Sequence, residues 1–65
     1  MTIEIIALVS HDTRARDAIV TDVDNLFVMV RFFDGGKLVK TTPYDLTSEA
    51  QAIKDAHQWC DPIIH

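Results

Sequence analysis

Residues 2–9 form a run rich in β-branched side chains in which Glu4 is the one charge. A run apolar on both sides predicts an inner strand, buried above and below. Ser10, His11, Asp12 and Thr13 break it with four polar residues. Two further strand-like runs, 15–23 and 26–33, flank Asp24 and Asn25, which tolerate the left-handed backbone of a tight reversal, so a β-hairpin is predicted. A second hairpin is predicted at Asp34-Gly35-Gly36-Lys37, where two glycines stand at the positions that a two-residue turn holds at positive φ. The fourth strand covers 37–42, and Pro43 ends it by removing an amide donor. Thr47 or Ser48 then caps a helix, with Ser48 and Gln51 at capping-box spacing. Ala52, Ile53, Ala56, Trp59 and Cys60 fall on one stripe of that helix, and Glu49, Gln51, Lys54, Asp55 and Gln58 on the other. Asp61-Pro62 stops it, leaving Ile63, Ile64 and His65 as a short apolar tail expected to fold back. A helix over 13–20 is the alternative for the second run, since Ala15, Ala18 and Ile19 share a side, but its apolar stripe is thin.

These elements predict one α+β domain over residues 1–65: a four-stranded antiparallel meander with the C-terminal helix on one face. With Gly35 and Gly36 as loop residues, regular pairing sets Phe32 opposite Val39, Val30 opposite Thr41, Phe33 opposite Leu38 and Arg31 opposite Lys40. Leu26, Val28, Val30, Phe32 and Val39 then make a core face sized for one helix with Ile53 and Trp59. In the first hairpin, a loop of Val23-Asp24-Asn25 sets Asp17 opposite Arg31, Ile19 opposite Met29 and Val20 opposite Val28, which lets Asp17 relieve the Arg31–Lys40 repulsion. A two-residue loop would instead waste that charge against Phe32. The outer face is thus expected to carry Asp17, Ile19, Phe27, Met29, Arg31, Phe33, Leu38 and Lys40. One helix covers one side of a sheet, and aromatic, Met and Arg side chains are the types enriched where proteins meet. These eight residues are the candidate partner-binding site. The alternative is a sheet curled into a small barrel, the first strand closing over part of that surface.

Composition narrows the chemistry. Six Lys plus Arg against ten Asp plus Glu give a net charge of −4 in 65 residues, so bulk charge attracts no polyanion. A lone cysteine, Cys60, forms no internal bridge, and a small oxidised domain needs several, so a cytoplasmic location is expected. No run approaches the roughly 20 apolar residues of a membrane span, so no membrane partner is expected. A domain this small has little volume for a deep pocket, and no enzyme activity or cofactor is expected. His57, Cys60, Asp61 and His65 invite a zinc reading, but a structural site wants four well-spaced ligands, usually with paired cysteines. A His57–Cys60 nucleophile lacks an orienting third group and an oxyanion donor. His11 beside Asp12 reads as a solvated pair. The dispersed carboxylates Asp22, Asp24, Asp34, Asp45, Glu49, Asp55 and Asp61 read chiefly as solubility, with mimicry of a phosphate backbone as the sharper alternative.

Over residues 14–59, the order of three strands and a helix, the Phe33-Asp34-Gly35-Gly36 turn and the Thr47-Ser48-Glu49-Ala50 helix start resemble arm-type and AP2-like nucleic-acid-binding domains. The resemblance implies an outer sheet face that enters the major groove and is markedly basic. Here Arg14, Arg16, Arg31, Lys37 and Lys40 are offset by Asp17, Asp22, Asp24 and Asp34. The Asp-Gly turn and closing Asp45-Leu46 are also similar to those of Tudor-like barrels, without an aromatic cage. In size and charge the chain is similar to small acidic inhibitors such as phage anti-CRISPR and other counter-defence proteins. The expected function is a protein-binding adaptor or inhibitor that occludes a partner's surface, a nucleic-acid-processing complex being one such partner and a second copy another. Direct nucleic-acid binding through the same face is the runner-up.

Overall fold

The computed structural model describes residues 2–11 and 14–60. Four strands, β1 (Ile3–His11), β2 (Arg14–Val23), β3 (Phe27–Asp34) and β4 (Lys37–Asp45), form one open antiparallel sheet in the order β1-β2-β3-β4. A short 3₁₀ turn (Leu46–Ser48) leads into α1 (Glu49–Cys60), which packs across one face, chiefly on β2. This is the expected α+β meander with a single helix. The barrel alternative does not form, since β1 pairs with β2 alone, and neither does a helix over 13–20.

The core lies between α1 and the sheet. Val9, Ala18, Val20, Val28, Val30 and Phe32 are buried against Ala52, Ala56 and Cys60, with Ile6, Ala7, Tyr44, Ile53 and Trp59 packed around them. Alanines on the helix stripe let its backbone approach the sheet closely enough to exclude water from the valines. Trp59 closes the hairpin end of this core: its ring meets Phe32 edge-on, with centroids 5.5 Å apart, and its indole N–H donates to the Phe33 carbonyl at 3.0 Å. Two expected core residues are not there. Leu26 belongs to the first turn and is exposed, and so is Val39.

Three registers differ from regular pairing, each for a local reason. The first hairpin has a three-residue loop, but of Asp24-Asn25-Leu26, with Val23 opposite Phe27. Asp24 and Asn25 both take positive φ, Leu26 N–H donates to the Val23 carbonyl at 2.9 Å, and Asp22 Oδ1 accepts from Asn25 N–H at 2.8 Å. Asp17 consequently faces Phe33, and Arg31 faces Ile19. In the second hairpin, Gly35 and Gly36 do form the turn, at φ 62° and 82°, and Phe33 does face Leu38. Beyond that pair a bulge leaves Val39 unpaired, so that Phe32 faces Lys40, Arg31 faces Thr41 and Val30 faces Thr42. Pro43 does not end β4: on an edge strand its missing N–H costs no ladder bond, and it pairs with Met29. In β1 a second bulge, at Ile6, lets Ile6 and Ala7 both pack on the helix side. The capping box is replaced as well: Gln51 Nε2 donates to Asp55 Oδ1 at 2.7 Å, and Asp45 stands at the head of the 3₁₀ turn without a side-chain cap bond. The tail at Ile63, Ile64 and His65 lies outside the described residues.

Candidate functional site

Alternation along each strand divides the sheet into a covered side and an open side. On the open side stand Ile3, Ile5, Leu8 and Ser10 of β1, Asp17, Ile19, Thr21 and Val23 of β2, Phe27, Met29, Arg31 and Phe33 of β3, and Leu38, Thr41, Pro43 and Asp45 of β4. The relative exposures of Leu8, Ile5, Leu38 and Ile3 are 69, 63, 53 and 49%. Ile19, Phe27, Met29 and Phe33 are half-buried. At the hairpin end Leu8, Ser10, Asp17, Ile19, Phe33 and Gly36 surround a shallow hollow of about 310 Å³.

Charged groups are few on this side. Thr21 is buried beneath it and is satisfied, since its hydroxyl donates to the Met29 carbonyl at 3.3 Å and accepts from Arg31 Nη1 at 3.4 Å. Arg31 is thereby laid across β2 toward Thr21, on the other side of Ile19 from Asp17. The face therefore carries one cation, Arg31, near its middle and one carboxylate, Asp17, toward its hairpin end, with Asp45 at its rim. The expected Asp17-Arg31-Lys40 row does not form. Because the Val39 bulge turns Lys40 over, its Nζ sits 4.6 Å from the centre of the Phe32 ring and 5.7 Å from that of Trp59, on the helix side. Seven of the eight expected residues thus share the open face, and Lys40 does not.

Ile3, Ile5 and Leu8 are the residues that sequence reasoning missed, because the run 2–9 reads as an inner strand. β1 is instead an edge strand with only its helix side buried. The signal was present in the helix count: a single amphipathic helix covers one side of every strand beneath it, the first included.

The covered side holds the remaining polar chemistry. Arg16 lies over the Trp59 ring at 4.5 Å and pairs with Asp34 at 3.7 Å. Tyr44 Oη donates to Asp55 Oδ2 at 2.6 Å, beside a 270 Å³ cleft lined by Phe32, Lys40, Gln58 and Trp59. Burial, then the hydrogen bond to Asp55 and its charge, push the Tyr44 phenol up to about 12. Cys60 is buried, with Sγ 3.4 Å from the Val9 carbonyl, and burial, with a smaller push from Asp17, raises its thiol pKa. A thiol so placed is neither ionised nor accessible, which suits packing and not nucleophilic attack. His57 is exposed on the far side of α1. Among the described residues no three His, Cys, Asp or Glu side chains converge as metal ligands. Asp12, Asp61 and His65, which the zinc and His11–Asp12 readings need, lie outside those residues. No helix among the described residues is long and apolar enough to cross a membrane.

No family model matches the chain, and no curated protein or solved structure matches it.

Proposed function

We propose that this chain is a non-catalytic protein-binding module, an adaptor or inhibitor that docks through its open sheet face and covers a partner's working surface. The observation that carries the reading is the exposure of Ile5, Leu8 and Leu38 on the side of the sheet opposite α1. Burying such side chains is favourable by roughly 25 cal/mol per Å² of apolar surface, and an apolar patch of this extent on a sheet face is often a functional surface. The position of Arg31 supports the same reading. It is half-buried among Ile19, Met29 and Phe33 and tethered to Thr21, an interface-type cation on an apolar ground.

Charge placement favours a protein over a nucleic acid. A groove-binding sheet presents several cations on its open face, whereas Arg31 is the one Lys or Arg whose described side chain stands there, with Asp17 nearby. Arg16 and Lys40 lie over rings on the helix side.

The test is affinity capture from native host lysate, read by mass spectrometry, with wild type, Leu8→Glu and Lys54→Glu as baits. Leu8 projects from the open face and Lys54 from the solvent side of α1, so both variants keep the core. Proteins retained by wild type and Lys54→Glu but lost from Leu8→Glu are the expected result. An identical retained set on all three baits overturns the reading. Oligonucleotide binding that falls steeply with added salt would support the nucleic-acid alternative instead.

A further inference from the structure

We infer that, when no other partner is bound, the occupant of the open face is a second copy of this chain, stacked face to face across a two-fold axis. The inference rests on the reading of that face as a docking surface, and adds what fills it and what a partner must displace.

Area is the first argument. The protomer measures 33 × 25 × 16 Å, a slab of one sheet and one helix. Four strands of 8–10 residues offer about 500 to 630 Å² on the open side, at about 3.3 Å per residue and about 4.8 Å between strands. Two such faces bury roughly 1,000 to 1,300 Å², the lower end of the size of a specific interface. Geometry is the second. Two twisted sheets with apolar inner faces stack about 10 Å apart, the arrangement of a β-sandwich, and here each sheet already has a helix on its other side. Four layers, helix-sheet-sheet-helix, leave neither apolar face in water.

Charge is the third. The chain carries a net charge of −4, which opposes self-association in general, yet the open face itself carries Arg31 and, toward the hairpin end, Asp17, one charge of each sign. The other described carboxylates, Glu4, Asp22, Asp24, Asp34, Glu49 and Asp55, lie on the helix side or in turns, and Asp45 lies at the rim. An isologous interface apposes a patch to itself, so a face with little net charge suits self-pairing. The edges argue for the same mode. Pro43 and the Val39 bulge blunt β4, and the Ile6 bulge interrupts β1, so edge-to-edge extension of the sheet is opposed at both sides. A heterologous partner then competes with the second copy for one surface, and capture weakens as the dimer fills.

Sedimentation equilibrium from micromolar to near-millimolar concentration tests this on wild type, Leu8→Glu, Met29→Glu and Lys54→Glu. Far-UV circular dichroism checks folding, and binding of an anilinonaphthalene sulfonate dye probes the face. The expected result is a species of twice the 7.3 kDa chain mass for wild type and Lys54→Glu. Dissociation should be about a hundredfold easier for the two open-face variants, because each substitution enters the interface twice. A dimer indifferent to Leu8→Glu and Met29→Glu overturns the inference, since it would use another surface. A monomer throughout that binds dye, and loses it in folded Leu8→Glu, also overturns it while leaving the docking reading intact. A monomer that binds no dye overturns both.

Discussion

Phe32 and Phe33 are neighbours of identical chemistry on opposite sides of the sheet, so the difference between truncating one and truncating the other measures the division of the fold directly. Phe32 is 3% exposed, with Trp59 edge-on and Lys40 above it. Replacing it with Ala removes the ring and leaves a void between β3 and α1 that those neighbours only partly fill, at a cost of about 4 kcal/mol. Phe33 is half-buried, on the open face beside the shallow hollow. Its removal leaves no closed cavity, and losing about 80 Å² of burial at roughly 25 cal/mol per Å² costs about 2 kcal/mol. A 65-residue domain has a total stability of roughly 3 to 10 kcal/mol, so Phe32→Ala consumes much of it and Phe33→Ala a modest share. The thermal midpoint should fall by about 20 °C for the first and about 10 °C for the second. Thermal and urea melts by far-UV circular dichroism read both, at protein concentrations where the midpoint no longer depends on concentration. Equal losses, or a larger loss for Phe33→Ala, would show that the second face is also sealed, and the functional proposal would fall with that result.

Three other outcomes follow from the covered side and the turns. Tyr44 is the chain's one tyrosine, so its near-ultraviolet phenolate absorbance titrates a single group, expected near pH 12 and lower in Asp55→Asn. Because the folded value lies above the ordinary 10, the native state binds the extra proton between pH 10 and 12, and stability present below pH 10 is lost as pH rises through that window; Tyr44→Phe should remove that loss from alkaline urea melts. Cys60 should react with a thiol-specific disulfide reagent only as fast as the protein opens, and at once in urea; rapid reaction in the native state would contradict its burial against Val9 and α1. Gly36→Ala meets no atom within 4 Å, so its cost is that of a left-handed alanine alone, about 1 to 2 kcal/mol in a melt, and a neutral result would contradict the φ of +82°.

Much of the fold was legible because it depends on backbone periodicity. Strands, both reversals and the helix stripe of Ala52, Ala56 and Cys60 need only a period of two or 3.6 and the local chemistry of Gly35, Gly36, Asp24 and Asn25. Even the misplaced first hairpin kept its faces. Moving the Asp17 partner from Arg31 to Phe33 shifts the pairing by two residues, and two is the side-chain period, so Ile19, Met29 and Phe33 stayed on the open side. A one-residue bulge has no such protection: at Val39 it sent Lys40 over the Phe32 and Trp59 rings, and at Ile6 it turned two consecutive residues of β1 toward the helix.

Sequence alone therefore determined that this chain is a meander with one helix, and which side of β2 and β3 that helix covers, because both follow from repeats that each segment carries within itself. Tertiary structure decided that β1 is an edge, that Leu8 and Ile5 join the open face, and that Lys40 leaves it. Bulges and edges arise where strands of unequal fit must pack under the same helix, and the balance of those contacts is a property of no single segment.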